Sequence, residues 1–168
     1  PNLNSLAALM QGHERENVQI NLKSLNEHSN YWEAVRTYYQ PFESDLKAAT
    51  TEVYENEIPG GQYSNLRQQA ESVGLGDQLP LIKHNYAVVN QLFGDIVKVT
   101  PSSKVVGDMA LFMTANKLTK EDVLDVEQNH SFPSSVVGFL KGELGIPYGG
   151  FPEDIKQAVL KNEAEKVT

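Results

Sequence analysis

Apolar residues recur at three- and four-residue spacing in short stripes along this chain, and most stripes are cut by a glycine or a proline. That period of 3.6 with frequent punctuation dictates a succession of short amphipathic helices. Leu3, Leu6, Ala7 and Met10 form the first stripe, which stops at Gly12. Leu22 and Leu25 lead into Tyr31, Trp32, Val35, Tyr38 and Tyr39, a face that must end before Pro41 and is expected to supply the aromatic part of the core. Tyr63, Leu66, Ala70 and Val73 run to Gly74, and the apolar pairs between Leu81 and Phe93 stop at Gly94. Val105, Val106, Met109, Phe112 and Met113 predict a helix running to about Ala115. Thr119-Lys120-Glu121-Asp122 resembles a capping box with Asp in place of Glu and introduces Val123, Leu124 and Val126. Pro133 and Pro152 mark two further starts, with Val136, Val137, Phe139 and Leu140 behind the first and Ile155, Val159 and Leu160 behind the second. Thr51 to Glu55 reads as a short extended segment or an irregular loop, and the charged tail after Glu163 is expected to fray. The fold class is mostly α.

Charge and composition exclude several functions. Fourteen Lys+Arg against 22 Asp+Glu give a net charge of −8, which disfavours nucleic acid and anionic membrane surfaces as partners. With no cysteine there is no disulfide, thiolate metal site or cysteine nucleophile. No apolar run approaches the roughly 20 residues of a membrane span. His13, His28, His84 and His130 are scattered, so no metal site can be assembled from their spacing. Glu52, Glu55 and Glu57 read as solvated or ion-paired carboxylates before they read as acids or bases. At 168 residues the chain fits one domain or part of one, and a start at Pro1 directly into a helical stripe suggests a piece of something longer.

The densest chemistry lies in Gly94-Asp95-Ile96-Val97-Lys98-Val99-Thr100-Pro101-Ser102-Ser103-Lys104-Val105-Val106-Gly107-Asp108. Here an apolar run breaks at Thr-Pro and opens a helix rich in hydroxyls. Thr100 is expected at the N-cap and Pro101 at the first helical position, where its missing N–H costs nothing. A helix start leaves N–H groups without intrahelical partners and carries partial positive charge, so Thr100 to Lys104 can form an anion site. Capping alone explains the same residue types. Upstream, Glu55-Asn56-Glu57-Ile58-Pro59-Gly60-Gly61-Gln62-Tyr63-Ser64-Asn65-Leu66 holds a Pro-Gly-Gly that reads as a turn, with two glycines that let backbone approach a ligand.

These two runs resemble the C-terminal part of the carboxyltransferase domain in the pyruvate carboxylase and oxaloacetate decarboxylase family, over residues from about Tyr31 to Lys161. The resemblance implies a helical region, residues 21–168, following a TIM barrel whose last helix and linker are residues 1–20. It implies biotin-dependent transfer of a carboxyl group from carboxybiotin to pyruvate, giving oxaloacetate in an anaplerotic, gluconeogenic ligase. Thr100 would relay a proton between pyruvate and biotin, while Ser103, the Lys104 backbone and Gln62 face the biotin ureido group. It also implies a biotin carrier domain, an ATP-using domain, a divalent metal such as Zn or Mn held by the barrel, and a homo-oligomer, all in the cytoplasm. None of the metal ligands falls in this chain, which alone is expected to be inactive. A decarboxylase or transcarboxylase subunit is the close alternative, and a non-catalytic helical assembly module is the distant one.

Overall fold

A computed structural model describes residues 2–14, 20–43 and 51–165, with the side chains of 162–165 left aside. The chain divides into two compact units, Pro1–Ala49 and Thr50–Thr168.

The first unit holds helices α1 (Leu3–Met10) and α2 (Leu22–Tyr39), followed by a 3₁₀ turn over Gln40–Phe42. Asn2 and Asn21 cap the helices, their side chains accepting from the N–H of Ser5 at 2.9 Å and of Ser24 at 3.1 Å. Asn4 Nδ2 joins the pair by donating to Asn26 Oδ1 and Ser29 Oγ, each at 2.8 Å. The expected aromatic core is not here. Tyr31, Trp32, Tyr38 and Tyr39 are exposed, and α2 carries no buried residue. A helix of 18 residues beside one of 8 has a single covered stripe at most, so residues all round it cannot be buried within the unit. Tyr31 instead packs edge-on against its neighbour Trp32, with ring centroids 5.3 Å apart.

The second unit contains α3 (Val53–Asn56), α4 (Gly60–Ser72), α5 (Leu79–Leu92), α6 (Ser102–Asn116), α7 (Lys120–Leu124), α8 (Ser134–Leu140) and α9 (Glu153–Glu165). No strand occurs among the described residues. Thr51 to Glu55 is neither extended nor irregular: α3 is a single helical turn, closed where Glu57 takes a left-handed conformation at φ 60°. The fraying expected after Glu163 concerns residues that lie largely outside the described ones, since α9 persists to Glu165.

The core of this unit follows the stripes. Leu66 and Ala70 of α4, Ile82, Tyr86 and Val89 of α5, and Val106, Met109, Ala110 and Met113 of α6 are all buried. Val136 and Leu140 of α8 close one side, and Ile155 and Val159 of α9 another. Each fully buried side chain of this size contributes ~1.5–3 kcal/mol from apolar burial, so the α5–α6 seam anchors the unit. Within that seam Asn85 Nδ2 donates to Thr114 Oγ1 at 2.9 Å, and Thr114 Oγ1 donates to the Ala110 carbonyl at 2.9 Å, which satisfies the buried polar pair.

The start of α6 differs from the sequence expectation. Pro101, not Thr100, occupies the N-cap position, and no side chain caps the helix. Thr100 stands one residue outside, at the end of an irregular segment. Ser102 restrains that segment: its Oγ accepts from the Val99 N–H at 3.2 Å and lies 2.8 Å from the carbonyls of Val97 and Val99.

Candidate functional site

One face of α4 along its length and the start of α6 bound an open cleft of about 430 Å³ lined by Gln62, Asn65, Gln68, Gln69, Ser72, Thr100, Ser103 and Lys104. All four residues singled out in the sequence therefore line one cleft, although Gln62 and Thr100 are far apart in the chain. Pro59-Gly60-Gly61 is not a free turn. Pro59 stands at the N-cap of α4 and its carbonyl accepts from the Tyr63 N–H at 2.9 Å, so the glycines form the first helical turn and Gln62 follows directly.

Gln62 is buried, and its Nε2 has no hydrogen-bond partner among the described residues; the same holds for Gln69 Oε1. A buried amide left unpaired costs ~1–3 kcal/mol, and since Nε2 is sealed against α6, an acceptor arriving in the cleft is rewarded by Gln62 once the side chain turns outward. Gly107 on α6 makes room for this amide. A Cβ there would stand 2.7 Å from Gln62 Nε2 and 3.3 Å from Leu66 Cδ1. Sequence reasoning passed over Gly107; its signal was a glycine inside a helical stripe, where it costs about 1 kcal/mol against alanine.

At the α6 side two of the expected free amides, those of Ser103 and Lys104, are engaged, while the Ser102 N–H has no partner among the described residues. The N–H groups of Ser103, Lys104 and Val105 donate to the carbonyls of Val99 at 3.1 Å, Pro101 at 3.0 Å and Pro101 at 3.4 Å. The turn tightens onto the Thr-Pro segment and consumes two of the donors that a helix start ordinarily leaves open. The Lys104 backbone is thus already engaged, and its Nζ pairs with Asp108 Oδ2 at 2.7 Å. The hydroxyls of Thr100 and Ser103 remain, neither with a hydrogen bond among the described residues. Ser103 is buried, and its carbonyl accepts from Tyr86 Oη at 3.2 Å. Burial, reinforced by the charge of Glu57, pushes the Tyr86 phenol well above its ordinary pKa, so it stays a neutral donor holding this turn.

Two of the three glutamates are ion-paired, and Glu55 is exposed to solvent, which matches solvated or paired carboxylates. Glu52 Oε2 accepts from Lys83 Nζ at 2.8 Å. Glu57 Oε2 accepts from Lys98 Nζ and from Asn90 Nδ2, each at 2.8 Å, and the bond from Lys98 holds its carboxyl below the usual range. A second cavity of about 420 Å³, between α5 and the α6–α7 junction, includes His84 but none of the expected residues. No group of three or more His, Cys, Asp or Glu suited to a metal occurs among the described residues. No helix there is long and apolar enough to cross a membrane.

Comparison with known proteins assigns this architecture. The family model described as "Conserved carboxylase domain" matches residues 53–168. The chain belongs to the conserved carboxylase domain family. The matched range begins at α3 and takes in both walls of the cleft. Among curated relatives, pyruvate carboxylase of Bacillus subtilis is 51% identical over 163 residues, 97% of this chain and 14% of that protein. Mitochondrial pyruvate carboxylase of Rattus norvegicus is 44% identical over 164 residues, 96% of this chain and 14% of that protein. The carboxyl transferase domain of Rhizobium etli pyruvate carboxylase superposes with a TM-score of 0.89 at 50% identity, covering 96% of this chain and 27% of that one. The same domain has been solved with oxamate and biotin, and with pyruvate and biocytin. This conserved carboxylase domain thus matches the helical C-terminal part of a carboxyltransferase domain and spans about 14% of the length of those curated relatives.

Proposed function

We propose that this chain forms the biotin-facing wall of a carboxyltransferase site in a pyruvate carboxylase, and that Thr100 relays the proton that accompanies carboxyl transfer. One observation carries the reading: Gln62, Thr100, Ser103 and Lys104 meet in a single cleft in which Gln62 Nε2 is a buried donor without a partner. The donor set fits a ureido group, whose carbonyl oxygen needs donors and gains negative charge as the carboxyl group leaves. Gln62 Nε2 and the Ser103 hydroxyl would hold that oxygen, acting as an oxyanion hole does. Because the Lys104 amide is spent on Pro101, stabilisation rests on side chains, and Lys104 contributes the wall and its ion pair with Asp108.

Carboxybiotin, carried on another domain, would supply the carboxyl group. Thr100 Oγ1 accepts the proton leaving the pyruvate methyl while its own hydroxyl proton passes to the biotin nitrogen, so the threonine never carries a charge. A hydroxyl suits this exchange because it donates and accepts at one atom. The enolising metal, Zn or Mn, and the remaining pyruvate contacts belong to a preceding TIM barrel, of which residues 1–20 would be the end, and ATP is used elsewhere in the enzyme. By itself the chain is therefore inactive: added to oxaloacetate and biotin it should give no decarboxylation above background. The deciding experiment uses the full-length enzyme. Thr100→Ala should abolish carboxyl transfer to pyruvate and Thr100→Ser should retain part of it, with biotin carboxylation unchanged in both. Equal transfer by the alanine variant and the wild type overturns the reading.

A further inference from the structure

We infer that the Lys98–Glu57 ion pair is a positioning device that fixes the two walls of the cleft against each other, an inference that rests on the biotin-site reading above. Glu57 lies five residues before Gln62, and Lys98 lies two residues before Thr100 and five before Ser103. The bond from Lys98 Nζ to Glu57 Oε2, at 2.8 Å, therefore ties the segment that delivers one wall to the segment that delivers the other. Asn90 on α5 completes the tie. Its Nδ2 donates to the same Glu57 oxygen at 2.8 Å and approaches Asp95 Oδ1 at 3.3 Å, so both segments are referenced to the buried α5. Glu57 and Asp95 each adopt a left-handed backbone conformation, with φ 60° and 53°. Aspartate is at home in that region, but a glutamate is disfavoured there, so Glu57 stands where the backbone would prefer glycine and its carboxylate is what the position gains. On the cleft side of the tie, Tyr86 holds the Ser103 carbonyl from the same α5, so the hydroxyl-bearing turn is pinned at both ends.

The molecule provides a matched control. Lys83 Nζ pairs with Glu52 Oε2 at the same 2.8 Å, with side-chain exposures of 14% and 40% against 16% and 37% for Lys98 and Glu57. Lys83 leads from α5 to the start of α3 and lies over the Tyr63 ring, 5.5 Å from its centroid, so it meets the α4 wall of the cleft but does not join that wall to the run that delivers Thr100 and Ser103. If burial and pairing alone mattered, the two lysines would be equivalent.

The test uses the full-length enzyme with oxaloacetate and free biotin as substrates, and reads KM for biotin, kcat and the melting midpoint. Lys98→Met and Glu57→Gln are each expected to raise KM for biotin about tenfold, and the double variant no further, because both remove one coupled interaction. Lys98→Arg should restore most of the affinity. Lys83→Met should lower the melting midpoint comparably while leaving KM for biotin unchanged. The inference is overturned if Lys98→Met shifts only the melting midpoint, if Lys83→Met raises KM equally, or if the two changes add. Should Lys98→Met fail to fold, Glu57→Gln, which keeps an acceptor for Asn90, answers the same question. Thr100→Ala and Ser103→Ala separate the two layers: if neither alters the reaction the biotin-site reading fails, and if both do while the Lys98 variants do not, only the ion pair's role fails.

Discussion

Helices α6 and α7 begin within twenty residues of each other and begin in opposite ways. At α7 the hydroxyl of Thr119 accepts from the Asp122 N–H at 3.2 Å, while Asp122 Oδ2 accepts from the Thr119 N–H at 2.8 Å and from its hydroxyl at 2.9 Å. The cap hydroxyl and the carboxylate at that start satisfy each other's backbone amide in the reciprocal box. At α6 no side chain caps the helix, the Ser103 and Lys104 amides close onto backbone carbonyls, and the hydroxyls of Thr100 and Ser103 are left facing a cleft. The same residue type thus closes one helix start and leaves the other open. A hydroxyl consumed by its own helix stabilises; one left over can act on a ligand.

The sharpest way to break that contrast is to delete both threonine hydroxyls and compare. Thr100→Ala should abolish carboxyl transfer in the full-length enzyme, a fall on the order of 10²–10⁴ and the usual contribution of a positioned group that takes up and gives a proton, with no loss of thermal stability. A fall in melting midpoint with the rate per folded molecule unchanged would show that Thr100 is a cap after all. Gly107→Ala comes next in size. Its methyl would stand 2.7 Å from Gln62 Nε2, so the flexible amide must move off α6. KM for biotin should rise about tenfold, one hydrogen bond's worth, while stability holds, since alanine favours a helix interior by ~1 kcal/mol over glycine. Unchanged KM would remove Gln62 from the site. Thr119→Ala should behave inversely: about 1 kcal/mol of local stability lost, read as about fivefold faster hydrogen exchange of the Lys120–Leu124 amides, with carboxyl transfer unaltered.

How far the sequence reached can be argued from the same two helix starts. The Thr119–Asp122 box was legible because capping is local: residue type and a spacing of three determine it. Thr100 was misplaced by one position because the start of α6 is set by Ser102 bonding back to Val97 and Val99 and by backbone closure, which no propensity encodes. The helical stripes of the larger unit were legible because α4, α5, α6, α8 and α9 have partners for their apolar faces. The aromatic stripe of α2 was just as regular, yet Trp32 and its neighbours are exposed, since periodicity reports that a face is apolar and not what covers it. Gln62 and Thr100 were placed together by family resemblance; spacing could not join residues brought close only by the packing of α4 on α6. Gly107 and the Lys98–Glu57 tie escaped altogether, because a void for an amide and a long-range ion pair leave no local pattern.

The smallest effect belongs to the closed helix start and concerns pH. Bonds from the Thr119 N–H, then from its hydroxyl, hold the Asp122 carboxyl below the ordinary aspartate range. A carboxyl whose folded pKa is depressed contributes stability above its unfolded value, about 3.9, and loses that contribution as pH falls through it toward the folded pKa. Protection of the α7 amides, corrected for intrinsic exchange, should therefore exceed that of an Asp122→Asn variant near neutral pH. The gap should begin to narrow as pH falls to about 4 and close only as pH passes the folded pKa, which lies lower. Asp125 is also depressed, chiefly by the Glu127 N–H, and the Asp122 charge opposes that shift, so the comparison is made in an Asp125→Asn background. A gap that persists undiminished to pH 3 would mean that the Asp122 charge contributes nothing and that the box is held by Thr119 accepting from the backbone alone. The open start of α6, with no carboxylate in its first turn, should show no such slope under the same measurement.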